Sequence, residues 1–166
     1  MDGLTELEEG YRSNRPCTTF FNYVVTDHAA PSETFYLAGC LSSTKKEHLA
    51  SFPNVDADKA PTIGVPAITL TDLLDRQGLT RIDLVSMDIE QGEPEALTCF
   101  DIARFLPDLV CVEAGTDEVR TWLPPYFAQA GYERIDAYAD HDIGNWYFRP
   151  RRSSRHRRLV RRGRRA

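Results

Sequence analysis

Three carboxylates in one short segment, Asp88, Glu90 and Glu93, have the types and spacing that could do chemistry. They lie where the mostly apolar stretch 82–88 ends, and this stretch is typical of a buried parallel strand. Pro94 follows them, and proline is favoured at the first position of a helix. Ligands of open α/β sheets bind at the carboxyl ends of the strands. Carboxylates there can act as bases, accept hydrogen bonds from hydroxyl or amine groups, or hold a cation.

A purely structural interpretation competes with this one for part of the segment. Glu93 and Glu95 also favour the positive end of the helix that follows, so for these two both interpretations stay open. Asp88 differs because an acid that ends a buried strand needs a partner or a task. We therefore interpret Asp88 and Glu90 as functional residues.

Two further acids follow predicted strands. Asp27 comes after the aromatic and β-branched stretch 20–25, and Glu113 ends the apolar stretch 109–113. We expect both to lie at the same edge as the first cluster. His141 lies in a predicted hairpin loop, where a solvated histidine is the preferred interpretation over a base or a ligand.

The elements that must position these residues follow from periodicity, capping residues and turn residues. Thr69 and Asp72 have the spacing of a capping box, and Gly78 is the expected stop of that helix. Pro124 and Pro125 interrupt a long apolar stripe, so we expect a kink or a restart there. Helices are predicted at 1–13, 69–78, 94–104 and 116–130, and strands at 20–25, 33–37, 65–68 (a short edge strand), 82–88, 109–113, 132–138 and 146–148.

The alternation of strands and helices predicts an α/β fold with a mostly parallel sheet. The last two strands are joined by a short turn, which predicts an antiparallel hairpin at the C-terminal edge. The length of 166 residues suits one such domain, and the hydrophobic fraction of 42% provides its core.

Charge divides the chain into two parts. The net charge is −5, but residues 149–166 hold ten arginines and no acid, which leaves 10 basic and 25 acidic residues, or −15, in residues 1–148. We therefore expect a domain at 1–148 and a disordered Arg-rich tail at 149–166. The tail lacks aromatic residues for base stacking, so we expect only non-specific contact with nucleic acid through it.

Other classes of protein are disfavoured by the sequence. No apolar run approaches the ~20 residues that a membrane helix needs, and the acidic N-terminus does not read as a secretory signal. The four cysteines have no C-x-x-C pair, which argues against a zinc or redox motif and favours reduced thiols. We expect a cytoplasmic protein.

The segment Asp88-Ile89-Glu90, followed by a glycine, Glu93 and Leu97, resembles the signature of FkbM-type methyltransferases. The likeness runs from about residue 11 to residue 149, and its segments come in the right order. Supporting segments are 14–15 before the first strand, 26–27 after it, 68–74, Glu113 and 131–132.

This resemblance implies a Rossmann-like fold that uses S-adenosylmethionine, with methyl transfer to a hydroxyl of a small molecule or a glycan. It suggests Asp27 near the adenine of the cofactor, and residues 88–93 near the methyl group and the acceptor. Asp88 or Glu90 would deprotonate the acceptor hydroxyl or bind a cation that does so, and Glu93 completes the catalytic set. No metal ligand is assigned.

Two departures from the family pattern shape our expectations. Gln91 stands where the family has glycine, which predicts an altered turn. Upstream, Gly3 and Gly10 do not make the family's glycine-rich loop, so the chain resembles the later part of the domain, without the first two strands. We therefore expect a gap or abnormal pairing in the sheet, possible self-association, and weak or no cofactor binding. The alternative is a non-catalytic FkbM-like remnant that acts as a binding or interaction module.

Overall fold

The computed structural model describes residues 3–151. Their elements follow one another in a mixed α/β order. The helices are α1 (Leu7–Asn14), α2 (Lys46–Ala50), α3 (Leu70–Arg76), α4 (Glu93–Thr98), α5 (Ile102–Phe105) and α6 (Asp117–Gln129), and the strands are β1 (Val24–Val25), β2 (Ala30–Tyr36), β3 (Thr62–Ile68), β4 (Leu84–Met87), β5 (Leu109–Glu113), β6 (Tyr132–Arg134) and β7 (Asn145–Pro150). No helix in this part of the chain is long and apolar enough to cross a membrane.

The strands of residues 3–151 form two sheets, one of order β1-β3-β2 and one of order β4-β5-β7-β6. Only the pairs β1·β3 and β4·β5 are parallel, whereas the other three pairs are antiparallel. The α/β class is confirmed, but the expected mostly parallel sheet is wrong. The predicted gap in the sheet corresponds to the division between β1 and β4, which end their respective sheets.

Strand β3 differs most from its prediction as a short edge strand. It starts at Thr62 and lies between β1 and β2. Pro66 cannot donate a hydrogen bond to a neighbouring strand, which argues against a central position. The structure accommodates it because the register of β2 shifts between Ala30 and Glu33, opposite Pro66. A bulge in the partner strand therefore explains why the sequence rule failed here.

Strand β4 is less buried than its apolar sequence predicts. Val85 and Met87 are buried, but Leu84 is 54% exposed and Ser86 is also exposed. The reason is its position at the edge of the sheet, where only one face packs on the core. The C-terminal hairpin of β6 and β7 lies at the opposite edge, as predicted.

Helix boundaries follow local capping. The Thr69 side chain accepts a hydrogen bond from the Asp72 backbone N–H at 3.0 Å, and Gly78 has φ +66°, so the predicted start and stop of α3 are confirmed. The single helix predicted at 94–104 is instead two helices, because the Asp101 side chain caps a new start by accepting from the Arg104 N–H.

Helix α6 runs through both prolines as one helix, so of the predicted kink or restart the structure shows no restart. Val119, Leu123 and Phe127 form its buried face, and the ring of Phe127 stacks on that of Phe148 in β7 at 3.8 Å. Packing of this face holds the helix against the second sheet and fixes the strand ends that carry Asp88 and Glu113.

The described end of the chain belongs to β7. Arg149 pairs with Glu133 across the hairpin at 2.9 Å, and the Arg151 N–H donates to the Gly131 carbonyl. The regular structure thus extends beyond residue 148. The predicted start of the disordered tail at residue 149 is therefore wrong, and residues 152–166 of the predicted tail lie outside the described range.

Candidate active site

The parallel pairing of β4 and β5 brings the first two candidate acids together. Met87 is opposite Val112, so Asp88 and Glu113 leave adjacent strands at the same level. Burial is the largest cause that raises the pKa of Glu113 to about 7, and the neighbouring carboxylates of Asp88 and Glu90 raise it further. Glu113 can therefore hold a proton near neutral pH beside Asp88.

The turn after Asp88 has an unusual backbone. Glu90 has φ 55° and Gln91 has φ 72°, in the left-handed region that favours glycine. The N–H of Gly92 donates to the carbonyl of Ile89 at 3.3 Å, which closes the turn. Gln91 thus adopts the conformation that a glycine would adopt without strain, at the position where the FkbM pattern has one.

The buried side chain of Glu93 stabilises this turn through a hydrogen bond to its backbone. It is 1% exposed, and its Oε1 accepts a hydrogen bond from the Ile89 backbone N–H at 2.9 Å. Burial, as the largest cause, raises the pKa of Glu93 to about 7. Glu93 is not among the residues that line the cavity described below, so the structure places it behind the turn.

A segment that the sequence did not single out packs against the same turn. The Ser43 hydroxyl donates to the Glu90 carbonyl at 2.8 Å, and Lys45 forms an ion pair with Glu95. The Nε2 atom of His48 in α2 lies 2.9 Å from Oε2 of Glu90. No local pattern marks Ser43 or His48, because these contacts join residues more than forty positions apart in the chain.

A cavity of about 590 Å³ lies between the end of β1 and the turn after β4. This volume is within the range of small-molecule sites. Among residues 3–151, the charged lining residues are Asp88 and Glu90, and no lysine or arginine of this range lines the cavity. The lining comprises Gly3, Leu4, Leu7, Tyr23, Val24, Val25, Phe35, Gly39, Cys40, Ser42, Thr44, Asp88, Ile89, Glu90 and Gly92.

The other sequence candidates lie outside this lining. Asp27 is exposed and lies 2.7 Å from Nδ1 of His28, a hydrogen bond that lowers the pKa of the Asp27 carboxyl. Its neighbours Val24 and Val25 line the cavity, whereas Asp27 does not. His141 is exposed in the turn before β7, where its N–H donates to the Tyr138 carbonyl. The structure therefore groups Asp88, Glu90 and Glu113, with Glu93 behind them.

The cavity suits a cationic methyl donor in size and charge. S-adenosylmethionine carries a sulfonium and an ammonium group, and Asp88 and Glu90 are the carboxylates that would face such cations. Within residues 3–151, however, no glycine-rich loop follows a strand to cradle the rest of the cofactor. In the same range, no group of three or more His, Cys, Asp or Glu side chains is arranged to hold a metal ion.

Comparison with known proteins identifies the family of the chain. The sequence profile of the family described as "Methyltransferase FkbM domain" matches residues 5–134. Searches against curated proteins and against solved structures returned no significant match. The match covers more than half of the chain, and it includes β4, the acidic turn and β5. The chain therefore belongs to the FkbM methyltransferase family.

Proposed function

We propose that this chain carries the part of an S-adenosylmethionine-dependent methyl-transfer site that faces both the methyl group of the donor and the acceptor. The acceptor is a hydroxyl of a small molecule or a glycan. The observation that supports this proposal is the pair of carboxylates, Asp88 and Glu90, that lines a cavity at the carboxyl end of β4 inside the family match. A hydroxyl is a weak nucleophile until its proton is removed, and a positioned carboxylate is a general base of the required kind.

The donor supplies an electrophilic methyl group on a sulfonium sulfur when it is bound. The residues of this chain supply the charge and the base. Asp88 is solvent-accessible at the cavity wall and accepts the acceptor proton in this proposal. Glu113, with its pKa of about 7, is the neighbouring carboxyl group that takes up the proton from Asp88 in this proposal.

The remaining acids take supporting roles in the proposal. Glu90 faces the sulfonium or the acceptor hydroxyl from the turn. Glu93 fixes that turn through its hydrogen bond to Ile89, and so acts on the site from behind it. Asp27, at the end of the strand that carries Val24 and Val25, contacts the adenosine part of the cofactor, as the family resemblance suggests.

We also propose that the two sheets are parts of a Rossmann-like methyltransferase sheet, in which further strands belong between β1 and β4. Support comes from the topology, since β1 and β4 are each the outer strand of their sheet within residues 3–151. Because no glycine-rich loop follows a strand within residues 3–151, we expect weak binding of S-adenosylmethionine. A dissociation constant of about 1 mM corresponds to a binding free energy of about −4 kcal/mol.

Transfer of a labelled methyl group tests the proposal. The chain is incubated with S-adenosylmethionine labelled on its methyl group and with a panel of polyols and glycans. Asp88→Asn keeps the size of the side chain and removes the base, so we expect at least a hundredfold loss of transfer with an unchanged far-UV circular dichroism spectrum. Glu118→Gln, an exposed change in α6, is the matched control and is expected to leave transfer intact.

Equal transfer by the wild type and Asp88→Asn would refute the assignment of Asp88 as the base. A cavity that binds ligands without transfer favours the binding-module alternative.

A further inference from the structure

His48 is a buried side chain whose polar atoms have no evident structural purpose. It is 4% exposed, and within residues 3–151 neither ring nitrogen makes a hydrogen bond of acceptable geometry. Buried polar groups in native proteins nearly always have a partner, so an exception calls for an explanation. Its Nε2 atom lies 2.9 Å from Oε2 of Glu90.

The surroundings fix this juxtaposition. On one side the imidazole packs edge-on against the Phe52 ring, with ring centres 5.1 Å apart. On the other side the turn bearing Glu90 is tied to the same segment by the Ser43 hydroxyl and by the Lys45–Glu95 ion pair. Glu90 lines the cavity, whereas His48 does not. Glu90 therefore lies between the cavity and a buried base.

We propose that His48 is a positioning residue that holds the Glu90 carboxylate toward the cavity and takes up, through it, the proton released by the acceptor hydroxyl. This inference rests on the proposed function, and it names a second proton route beside the Asp88–Glu113 pair. Its geometric basis is the 2.9 Å approach of Nε2 to Oε2. A small reorientation of the ring converts this approach into a hydrogen bond.

The step balances in atoms and charge. The acceptor O–H bond breaks while the oxygen forms a bond to the methyl carbon, and the carbon–sulfur bond breaks with its electron pair going to sulfur. The proton moves to the Glu90 carboxylate and on to His48 Nε2. One positive charge disappears from the sulfonium of the donor, and one appears on the imidazolium, where the Glu90 carboxylate stabilises it.

The electrostatic environment agrees with proton exchange between the two groups. Burial lowers the pKa of His48, while burial and the charges of Asp88 and Glu93 raise the pKa of Glu90. The two pKa values thus move toward each other, which is the condition for easy transfer between them. The other charged groups on the elements around His48 are Glu95, which pairs with Lys45, Lys46, which pairs with Asp58, and Glu47, which is exposed on α2.

Nuclear magnetic resonance of the histidine rings tests this without any activity assay. The chain has four histidines, and His48→Gln identifies the His48 signal by its loss. Glu90→Gln removes the negative charge beside the ring, so we expect the proton affinity of His48 to fall about tenfold. Glu47→Gln removes a charge from the neighbouring exposed position and is expected to leave it nearly unchanged. Equal effects of the two changes, or no effect of Glu90→Gln, would overturn the proposal.

A kinetic comparison separates this inference from the proposed function. In the labelled-methyl assay His48→Gln is expected to lower kcat with little change in KM, and to shift the pH profile of kcat. His48→Asn also removes the base. If both variants keep the unfolding midpoint of the wild type, His48→Asn should show the same fall in kcat and the same shift of the pH profile as His48→Gln. A fall in stability with no change in kcat per folded molecule makes His48 merely structural and refutes the relay. Absence of any transfer by the wild type, with the His48–Glu90 coupling intact, counts against the proposed function alone.

Discussion

Replacement of Glu93 by glutamine tests how the acidic turn is held in place. Glu93 is 1% exposed, accepts the Ile89 N–H, and has a pKa raised from 4.5 to about 7. Glutamine keeps the shape and the accepting oxygen, but it does not ionise. We therefore expect Glu93→Gln to fold, to keep the turn, and to remove the cost of a buried charge at neutral pH.

The magnitude and the sign of the change in unfolding free energy follow from the pKa of Glu93, which is 4.5 as the ordinary value and about 7 in the folded chain. A raised folded-state pKa means that folding favours the neutral carboxyl, so its stabilising contribution is complete below about pH 4.5 and is lost as the pH rises through about 7. The interval between 4.5 and about 7, at about 1.4 kcal/mol for each tenfold change in proton affinity, gives about 3 kcal/mol as an upper limit. The gain in stability from Glu93→Gln should therefore be small near pH 4.5 and approach this limit near pH 8.

Urea unfolding at a series of pH values between these limits measures the difference directly, with Glu118→Gln as the control for loss of an exposed acid. Glu113, whose pKa is also about 7, titrates in both chains, and its charge interacts with that of Glu93, so the measured difference includes this coupling. A difference between Glu93→Gln and the wild type that does not change with pH would show that Glu93 is not a buried acid. Loss of methyl transfer in a fully folded Glu93→Gln would instead mean that Glu93 contacts the substrate.

Two further substitutions address the same turn. Gln91→Gly replaces a left-handed residue at φ 72° and should stabilise the chain by about 0.5–1 kcal/mol in urea unfolding, because the relief of strain exceeds the entropic cost of glycine. Its control is Gln77→Gly, at φ −86°, which should destabilise the chain by about the same amount. A change of unfolding free energy with the same sign in both variants would show that Gln91 is not strained. Ser43→Ala leaves the Glu90 carbonyl without its donor and should cost about 1 kcal/mol. The control is Ser13→Ala at an exposed position of α1, because Ser42, the neighbouring serine, makes hydrogen bonds of its own. If Ser43→Ala were no less stable than Ser13→Ala, the contact between Ser43 and the turn that bears Glu90 would be refuted.

The sequence was sufficient for features that depend on local signals. Thr69 and Gly78 mark the two ends of α3 because capping and left-handed stops are properties of a few adjacent residues. The placement of Asp88 beside Glu113 could also be predicted, since an acid that ends one strand meets an acid that ends its parallel neighbour. The resemblance to the FkbM family, which the acidic segment indicated, is confirmed by the family match over residues 5–134.

Features that depend on distant contacts could not be predicted. The central position of β3 requires a bulge in β2 opposite Pro66, and the sequence of β3 contains no signal that predicts this bulge. His48 became relevant only because α2 packs behind the turn that bears Glu90, more than forty residues later. The helix predicted at 94–104 broke because the local cap of Asp101 outweighed the apolar periodicity.

Titration of the chain with S-adenosylmethionine, followed residue by residue in backbone amide spectra, tests the central claim most directly. The account predicts weak binding, with a dissociation constant of about 1 mM. It predicts shifts concentrated in the segments 88–92, 23–25 and 39–44, which contribute most of the residues that line the cavity. It further predicts that Asp88→Asn combined with Glu90→Gln weakens these shifts, because the partners of the sulfonium are gone, while Glu118→Gln leaves them unchanged. Shifts that spare the 88–92 turn, or that survive the double substitution in full, would contradict the assignment of this acidic cavity to the methyl donor.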